Sequence, residues 1–544
     1  MAEEHAQVLV VGGGPSGLAT ALFLARQGID VLLVERDTGC SAWPRATHVT
    51  RRTMELLRPA GVEDALREVG MRVVGDLPGV DSPVDRRVLP ACVLEAPTLR
   101  GIAGAEVLDS GAEELAVPGP TSAYWCGQDL LEPILAAHAT HAGARIRFGT
   151  RLVHYTAHED GVSAVIRDAA GEHPVRARYL VGADGSRSTV RPLAGIGRTG
   201  HGLLAHRASI LFDADLDRIV RGRRFFVCML TETPREAAIM ELNGRHRWAV
   251  AVAVDAASGE SAADLTPDRC RDFLRVAIGA DVDIRLRTVF PWQVWHRVAD
   301  RLRSGPVFLA GDAAHIHAPA GGYGSNVGMQ DAHNLAWKLA WVLRGWAGED
   351  LLDTYSAERL PVGAAMADQT TLLAGVGGAA LAGTPKLPPA ALVYGARYAS
   401  AAVLGGRPVH GKDDAIGATV DRTGTPGTRM PHLWLRLDGR AVSPHDLCPH
   451  RMLLVTDAPA WCAAADRAGA TFGVPVCGVR VDPGTPGWAE LTGSRAGLAL
   501  LVRPDGVVAW RGATAGDPGT TLARLLRRVL ALDSAAHREI AVTR

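Results

Sequence analysis

The sequence predicts an α/β fold: a doubly wound parallel sheet, a β-rich sheet inserted into it, and a smaller α/β unit at the C-terminal end. Three observations predict it. The apolar run Val8-Leu9-Val10-Val11 turns through Gly12-Gly13-Gly14-Pro15-Ser16-Gly17 into the apolar stretch Leu18 to Ala25, the strand, glycine turn and helix order of a dinucleotide-binding unit. Two later apolar runs end on small acidic motifs, Gly182-Ala183-Asp184-Gly185 and Gly311-Asp312-Ala313-Ala314-His315. Between them the pattern is β-rich, and beyond residue 430 a strand, helix, strand and hairpin pattern starts afresh.

In chain order, the first strand leads into a helix whose N-terminus can hold a pyrophosphate. A second apolar strand, Val31 to Val34, ends on Glu35, eighteen residues after Gly17. There a carboxylate can accept hydrogen bonds from both hydroxyls of an adenosine ribose. The loop Cys40 to Arg45 runs into a helical stretch, Arg52 to Leu57. Prolines at 78, 83, 90, 97, 118 and 120 predict irregular strands and loops over residues 76–119. A helix is expected from Gln128 to Ala139, with Pro133 tolerated only near its first turn. Strands follow at 145–153 and 162–168, and Tyr179-Leu180-Val181-Gly182 delivers Asp184 to the ligand-binding edge of the sheet. Strands at 209–212, 225–230, 237–242 and 248–254 form the inserted sheet, which would make a substrate wall. The chain returns through Val307 to Ala310 and a long helix from Gly328 to about Arg344. A Gly- and Pro-rich stretch at 405–430 reads as a linker. Beyond it, the hairpin at 498–511 with its Pro-Asp-Gly turn resembles that of a thioredoxin-like domain, without a Cys-x-x-Cys pair. This tail is therefore read as structural or as an oligomer contact rather than catalytic.

The division that follows is a discontinuous nucleotide-binding domain (1–75, 120–200 and 295–405), a substrate-binding sheet domain (76–119 and 201–294) and a thioredoxin-like domain (425–544). Zero formal charge and a pI near 7.3, with no basic tract, exclude the usual signatures of nucleic-acid or anionic-membrane binding. No signal peptide or spanning segment is visible, so a cytoplasmic protein is expected. The eight cysteines are scattered without metal-ligand spacing, so no metal is expected and reduced, mostly buried thiols are.

With the three motifs placed, the chain resembles the class A FAD-dependent monooxygenases, the aromatic hydroxylases similar to para-hydroxybenzoate hydroxylase, and more narrowly the polyketide hydroxylases of bacterial natural-product pathways. The resemblance covers about residues 7–380, and its most specific stretch is Gly311 to Leu339. It implies a Rossmann-like FAD-binding domain with an inserted β-sheet substrate domain, FAD as cofactor, NADPH or NADH as a transient reductant and O2 as co-substrate. The single nucleotide fingerprint fits a nicotinamide that visits without a domain of its own. The residues implied to bind cofactor are Gly12, Gly14, Pro15, Ser16, Gly17, Glu35, Arg36, Arg45, Gln128 and Asp184, and, from the third motif, Gly311, Asp312, Pro319, Gly322, Gly324, Ser325 and Asn326. Asp312 would accept from the ribityl hydroxyls, and amides of the glycine-rich loop would stabilise negative charge on the reduced ring. Met240, Leu242, Trp292 and Gly321 are the expected substrate-lining residues. His315 and His317 read as packing or hydrogen-bonding groups, and no acid or base is assigned.

The implied activity is hydroxylation of an aromatic, polycyclic polyketide through a flavin C4a-hydroperoxide, held in a dry cavity so that peroxide is not lost. Baeyer–Villiger or epoxidase chemistry, an FAD oxidase or reductase, and a non-catalytic flavin-binding partner stand as alternatives. A homodimer is the oligomer the resemblance allows, with no interface signal to read.

Overall fold

The computed structural model describes residues 3–75, 85–255, 258–261, 264–513 and 516–533. Pro78, Pro83 and the last eleven residues of the expected tail domain lie outside the described residues.

Each apolar run expected as a buried strand becomes one. Glu4–Val11, Val31–Val34, Arg145–Arg147, Gly171–Gly182 and Val307–Leu309 form the parallel core of the first sheet. The antiparallel strands Arg151–His158 and Gly161–Asp168 extend it along the first half of Gly171–Gly182. The register aligns Val11 with Val34 and Gly182, and Gly182 with Leu309. All three motifs and Glu35 therefore leave the sheet at one edge, the carboxyl ends of the strands, where open α/β sheets bind ligands.

The inserted sheet has eight strands, in the order 315–316, 285–299, 198–213, 247–254, 237–241, 227–230, 93–96 and 106–109. Its alternation is plain in Arg198–Asp213. Ala208, Ile210 and Phe212 pack with Val250, Val252 and Ile239 on one face, beneath the helix Pro267–Ile278. Leu211, Ala249 and Met240, on the opposite face, turn towards the first unit. The strand Arg285–Ala299 goes beyond the expected set, and it contains Pro291 opposite Ala208. A smaller sheet of 48–49, 124–125, 71–74 and 88–90 joins the two units.

The tail holds a four-stranded sheet in which Met452–Thr456 runs parallel to Val476–Arg480 and antiparallel to Leu498–Val502, itself hairpinned to Val508–Ala513. The helices Pro459–Phe472 and Pro518–Val529 cover it. Architecturally the chain is the expected α/β assembly of a doubly wound unit, an inserted sheet and a tail.

Three local expectations change. The helix Gln128–His141 carries Pro133 in its second turn, where the missing amide removes one hydrogen bond without ending the helix. The long helix starts earlier, at Gly324, and runs to Leu343. The stretch read as a linker is a packed strap: Ala415, Ile416, Thr428, Arg429 and Met430 are buried in it. Arg429 forms a two-pronged ion pair with Glu55, 2.8 Å through Nε and 2.5 Å through a terminal nitrogen.

Candidate active site

The three motifs converge because their glycines admit close backbone approach. Gly12 has φ +111°, and a Cβ there would lie 2.3 Å from the carbonyl oxygen of Ala183, so the first motif packs against the second. A Cβ on Gly328 would lie 2.1 Å from Ser16 Oγ and 2.9 Å from the Gly311 Cα, which wedges the third motif and its helix onto the first. The helix Pro15–Arg26 opens behind Gly14 with no side-chain cap, leaving first-turn amides for an anion. Glu35 lies over this turn, accepting from the Gly13 amide at 2.5 Å and the Asp37 amide at 2.8 Å. Arg36 and Arg45 are exposed nearby.

Gln128 begins its helix and donates to Glu132 at 2.5 Å, while Glu132 also accepts from the Ser41 amide at 2.5 Å. Burial pushes the Glu132 carboxyl upward despite those donors. Glu132 thus fixes both Gln128 and the Cys40–Arg45 loop, partners that its place inside an apolar helix does not name. Asp184 accepts from the Thr189 and Val190 amides with one oxygen, at 2.6 and 3.0 Å, and its other oxygen is buried without a partner among the described residues. The Asp312 carboxylate is reached by solvent yet walled round by protein, which pushes its pKa upward, and no described residue hydrogen-bonds to it. Free amides, two acceptor oxygens without full partners and Glu35 in one groove make the donor and acceptor set that FAD requires, so the residues present fit that cofactor.

Behind this groove, Asp331 is fully buried and joins three elements. It accepts from His315 Nε2 at 2.7 Å, the Gly311 amide at 3.1 Å and Arg359 Nε at 2.7 Å. Burial alone would raise the Asp331 carboxyl, but His315 and Arg359 outweigh it and hold it low. His317 stacks on His315 with ring centroids 4.7 Å apart and reaches the Gly363 carbonyl at 3.1 Å. Burial lowers its pKa to about 3, so it stays neutral. A carboxylate inside an apolar helix was the available signal for Asp331.

Asn326 is buried and fully engaged. It accepts from the Thr50 amide at 2.9 Å and donates to the carbonyls of His48 and Gly322 at 2.7 and 2.8 Å. It therefore clips the end of the His48–Val49 strand and the helix cap Thr50 to the Gly321–Gly324 loop. Pro319 and Gly321 are exposed, and Gly322, Gly324 and Ser325 half-buried, on that loop.

On the inserted sheet, Met240 and Leu242 pack with Leu211, Ala249 and Phe290, and Met240 also belongs to the apolar cluster of Trp125 and Phe226. Trp292 lies further along the same sheet face and donates to Ser209 Oγ at 2.9 Å. Trp43, from the Cys40–Arg45 loop, reaches over to Phe290 with centroids 6.1 Å apart. His48, which abuts Gly321 and Gly322 and meets Phe226 edge-on, links this apolar, aromatic face to the loop.

The FAD binding domain family matches residues 5–370, and the C-terminal domain of aromatic-ring hydroxylases matches residues 423–532. The chain is an FAD-dependent aromatic-ring hydroxylase of this family. The hydroxylase is 43% identical over 538 residues to tetracenomycin B2 monooxygenase-dioxygenase of Streptomyces olivaceus, covering 96% of this chain and 98% of the relative. It is 39% identical over 553 residues to an aklavinone 12-hydroxylase of Streptomyces purpurascens, covering 97% and 100%. Among solved structures, a complex of aklavinone-11 hydroxylase with FAD and aklavinone superposes with a TM-score of 0.85 at 37% identity, covering 98% of the hydroxylase and all of that chain.

Two further features of the hydroxylase lie apart from this groove. His201, His296 and Asp368 bring ligand-type atoms within 4.8 Å of one another, but Lys412 already pairs with Asp368 and His296 donates to it at 2.8 Å. The cluster is a satisfied ion pair holding the strap. All eight cysteines are free, five of them buried, and no helix among the described residues is long and apolar enough to cross a membrane.

Proposed function

We propose that this enzyme hydroxylates a phenolic, polycyclic aromatic polyketide, using NADPH or NADH as electron donor and O2 as oxygen source. One observation carries the reading: Phe226, which packs on Trp125 in one apolar cluster with Met240, meets His48 where that residue abuts Gly321 and Gly322, in a chain that matches, end to end, a hydroxylase complexed with FAD and aklavinone. When bound, FAD supplies the two-electron reduction and oxygen activation that no side chain can.

The chain's residues bind, orient and exclude water. The first-turn amides of Pro15–Arg26 would take the pyrophosphate, Glu35 the adenosine ribose and Asp312 the ribityl chain. The 321–324 amides would face the ring, braced by Asn326 and Asp331. Met240, Leu242, Phe290 and Phe226 keep the reacting face dry. One oxygen atom enters the ring and the other leaves as water, with NAD(P)H giving the two electrons. A cytoplasmic location goes with that reductant.

A second reading has a specific observation in its favour. Two relatives are named monooxygenase-dioxygenases, for tetracenomycin B2 and A2, which suggests that more than one oxygen atom enters the product here too. Turnover under 18O2 with hydroxylated naphthacenequinones, with NAD(P)H consumption and H2O2 followed together, tests both readings. One labelled oxygen per NAD(P)H supports simple hydroxylation, and two or three support the second reading. Label inside a new lactone ring, or NAD(P)H consumption matched by peroxide with every phenol tried, would refute them.

A further inference from the structure

His48 is a buried imidazole that the cofactor groove does not use. Three contacts set its orientation. Its Cβ faces Gly322, where an added Cβ would come within 3.1 Å. Its Nδ1 lies 3.4 Å from the Gly321 carbonyl oxygen. Its ring meets Phe226 edge-on, with centroids 4.9 Å apart and an interplanar angle of 84°. With Cβ and Nδ1 against the loop, Nε2 lies on the far side of the ring from the Gly321 carbonyl, and the ring edge-on to Phe226 joins the loop to the apolar cluster of Phe226, Trp125 and Met240.

The proton positions follow from the partners. A carbonyl can only accept, so Nδ1 carries the hydrogen. Burial lowers the His48 pKa to about 4, against a weaker upward pull from Gly321, so the ring is neutral near pH 7. Nε2 is then a bare lone pair, buried and without a hydrogen-bond partner among the described residues. Its backbone is immobilised by the Asn326 clip at 2.7 Å and by pairing with Trp125. A buried acceptor without a partner costs about 1–3 kcal/mol. That cost makes the site discriminate between ligands that bring a donor and ligands that do not.

We infer that His48 Nε2 is the acceptor for a phenolic hydroxyl of the substrate, making His48 the residue that orients the polycyclic phenol beside the Gly321–Gly324 loop. The inference rests on the polyketide reading above and assigns that site a residue chosen by the ligand's hydroxyl rather than by its apolar area. His48 holds the hydroxyl without removing its proton, because an imidazole so depressed is a poor base.

The test is binding to the FAD-loaded enzyme, read as perturbation of the flavin visible spectrum. The probes are 2-hydroxyanthraquinone, whose hydroxyl is free of the quinone carbonyl, and the near-isosteric 2-methylanthraquinone. The wild type should prefer the hydroxyl compound by about tenfold or more, as sites built to bond a hydroxyl do. His48→Phe, with an unchanged flavin spectrum and FAD content, should reduce that preference to within about twofold, and His48→Gln, which keeps an acceptor oxygen, should fall between. Equal binding of both probes by the wild type, or a full preference in His48→Phe, overturns the inference. Preference lost on mutation, but no oxygen transferred to any phenol, would instead sink the hydroxylase reading and leave the recognition role standing. Failure of the wild type to bind either compound would remove both.

Discussion

Replacing Arg503 by methionine tests the joint between tail and core. The Arg503-Pro504-Asp505-Gly506 turn of the tail hairpin enters the first unit, where Arg503 has no exposed surface. Its guanidinium donates to Glu358 at 2.6 and 2.8 Å and to Asp505 at 3.1 and 2.5 Å. Lys338 reaches the same Glu358 at 2.9 Å, and Asn334 bridges both carboxylates at 2.8 and 3.1 Å. Two cations and two anions therefore balance. Methionine keeps much of the stem beside the Trp337 ring, which lies 5.3 Å from the guanidinium carbon, so the change is chiefly electrostatic. Lys338 then faces two carboxylates, and breaking a buried pair in this way costs about 3–5 kcal/mol. Adding Glu358→Gln removes the surplus negative charge, so the double variant should be more stable than the sum of the single effects by about 1 kcal/mol or more. Urea unfolding of the FAD-loaded protein, followed by tryptophan fluorescence and by FAD release, measures both quantities. A loss under about 0.5 kcal/mol for Arg503→Met, or strict additivity of the pair, would refute the reasoning.

Acid should loosen the same joint. Burial would raise Glu358, Asp505 and Glu55, but Arg503 for the first two and Arg429 for Glu55 outweigh it and hold all three below the usual carboxylate range. Such depressed groups add stability that is complete above the unfolded pKa of about 4 and is lost as pH falls through the folded values. Unfolding free energy should thus be flat in these groups from about pH 6 to 8 and drop below about pH 4 with uptake of more than one proton, a slope that urea titrations at stepped pH would read. Gly328→Ala should weaken FAD binding by about tenfold or more, since the new methyl must displace Ser16, and Ser16→Gly should restore part of it; equilibrium dialysis checks both. Glu35→Ala should weaken FAD by about 10- to 100-fold through loss of charged hydrogen bonds, with turnover at saturating FAD little changed, because the adenosine end takes no part in the chemistry; a fall in kcat instead would contradict that placement.

Local patterns carried most of what was legible in the sequence. Four apolar runs and three glycine-rich motifs specify strands, turns and a shared sheet edge within short windows, and the sheet register brings them together. What escaped depends on distant pairs or contradicts local rules. Arg285–Ala299 mixes arginines, aromatics and Pro291, the residue that ordinarily argues against a central strand. The strap at 405–430 has the composition of a tether, and it is long-range pairs such as Arg429 with Glu55, 374 positions apart, that reveal it as packed. His48 sits in an unremarkable Thr-His-Val, and its significance comes from Gly321 and Phe226, neither of them near it in the chain. Glu132 and Asp331 were visible as acids within apolar helices, a signal that marks an anomaly without naming its partner.

The buried turn at Arg503 also bears on how such a chain can be rebuilt. Its tail has the outline of a portable module, with its own sheet and covering helices. Yet Glu358, Lys338 and Asn334 belong to helices of the first unit, and Arg503 and Asp505 to the tail. A chimera with a tail from elsewhere inherits lone ions on both sides of the seam unless all five residues travel together. Ancestry and engineering are therefore bound to treat the five as a single heritable character, more like a lock cut with its key than a domain carried on a string.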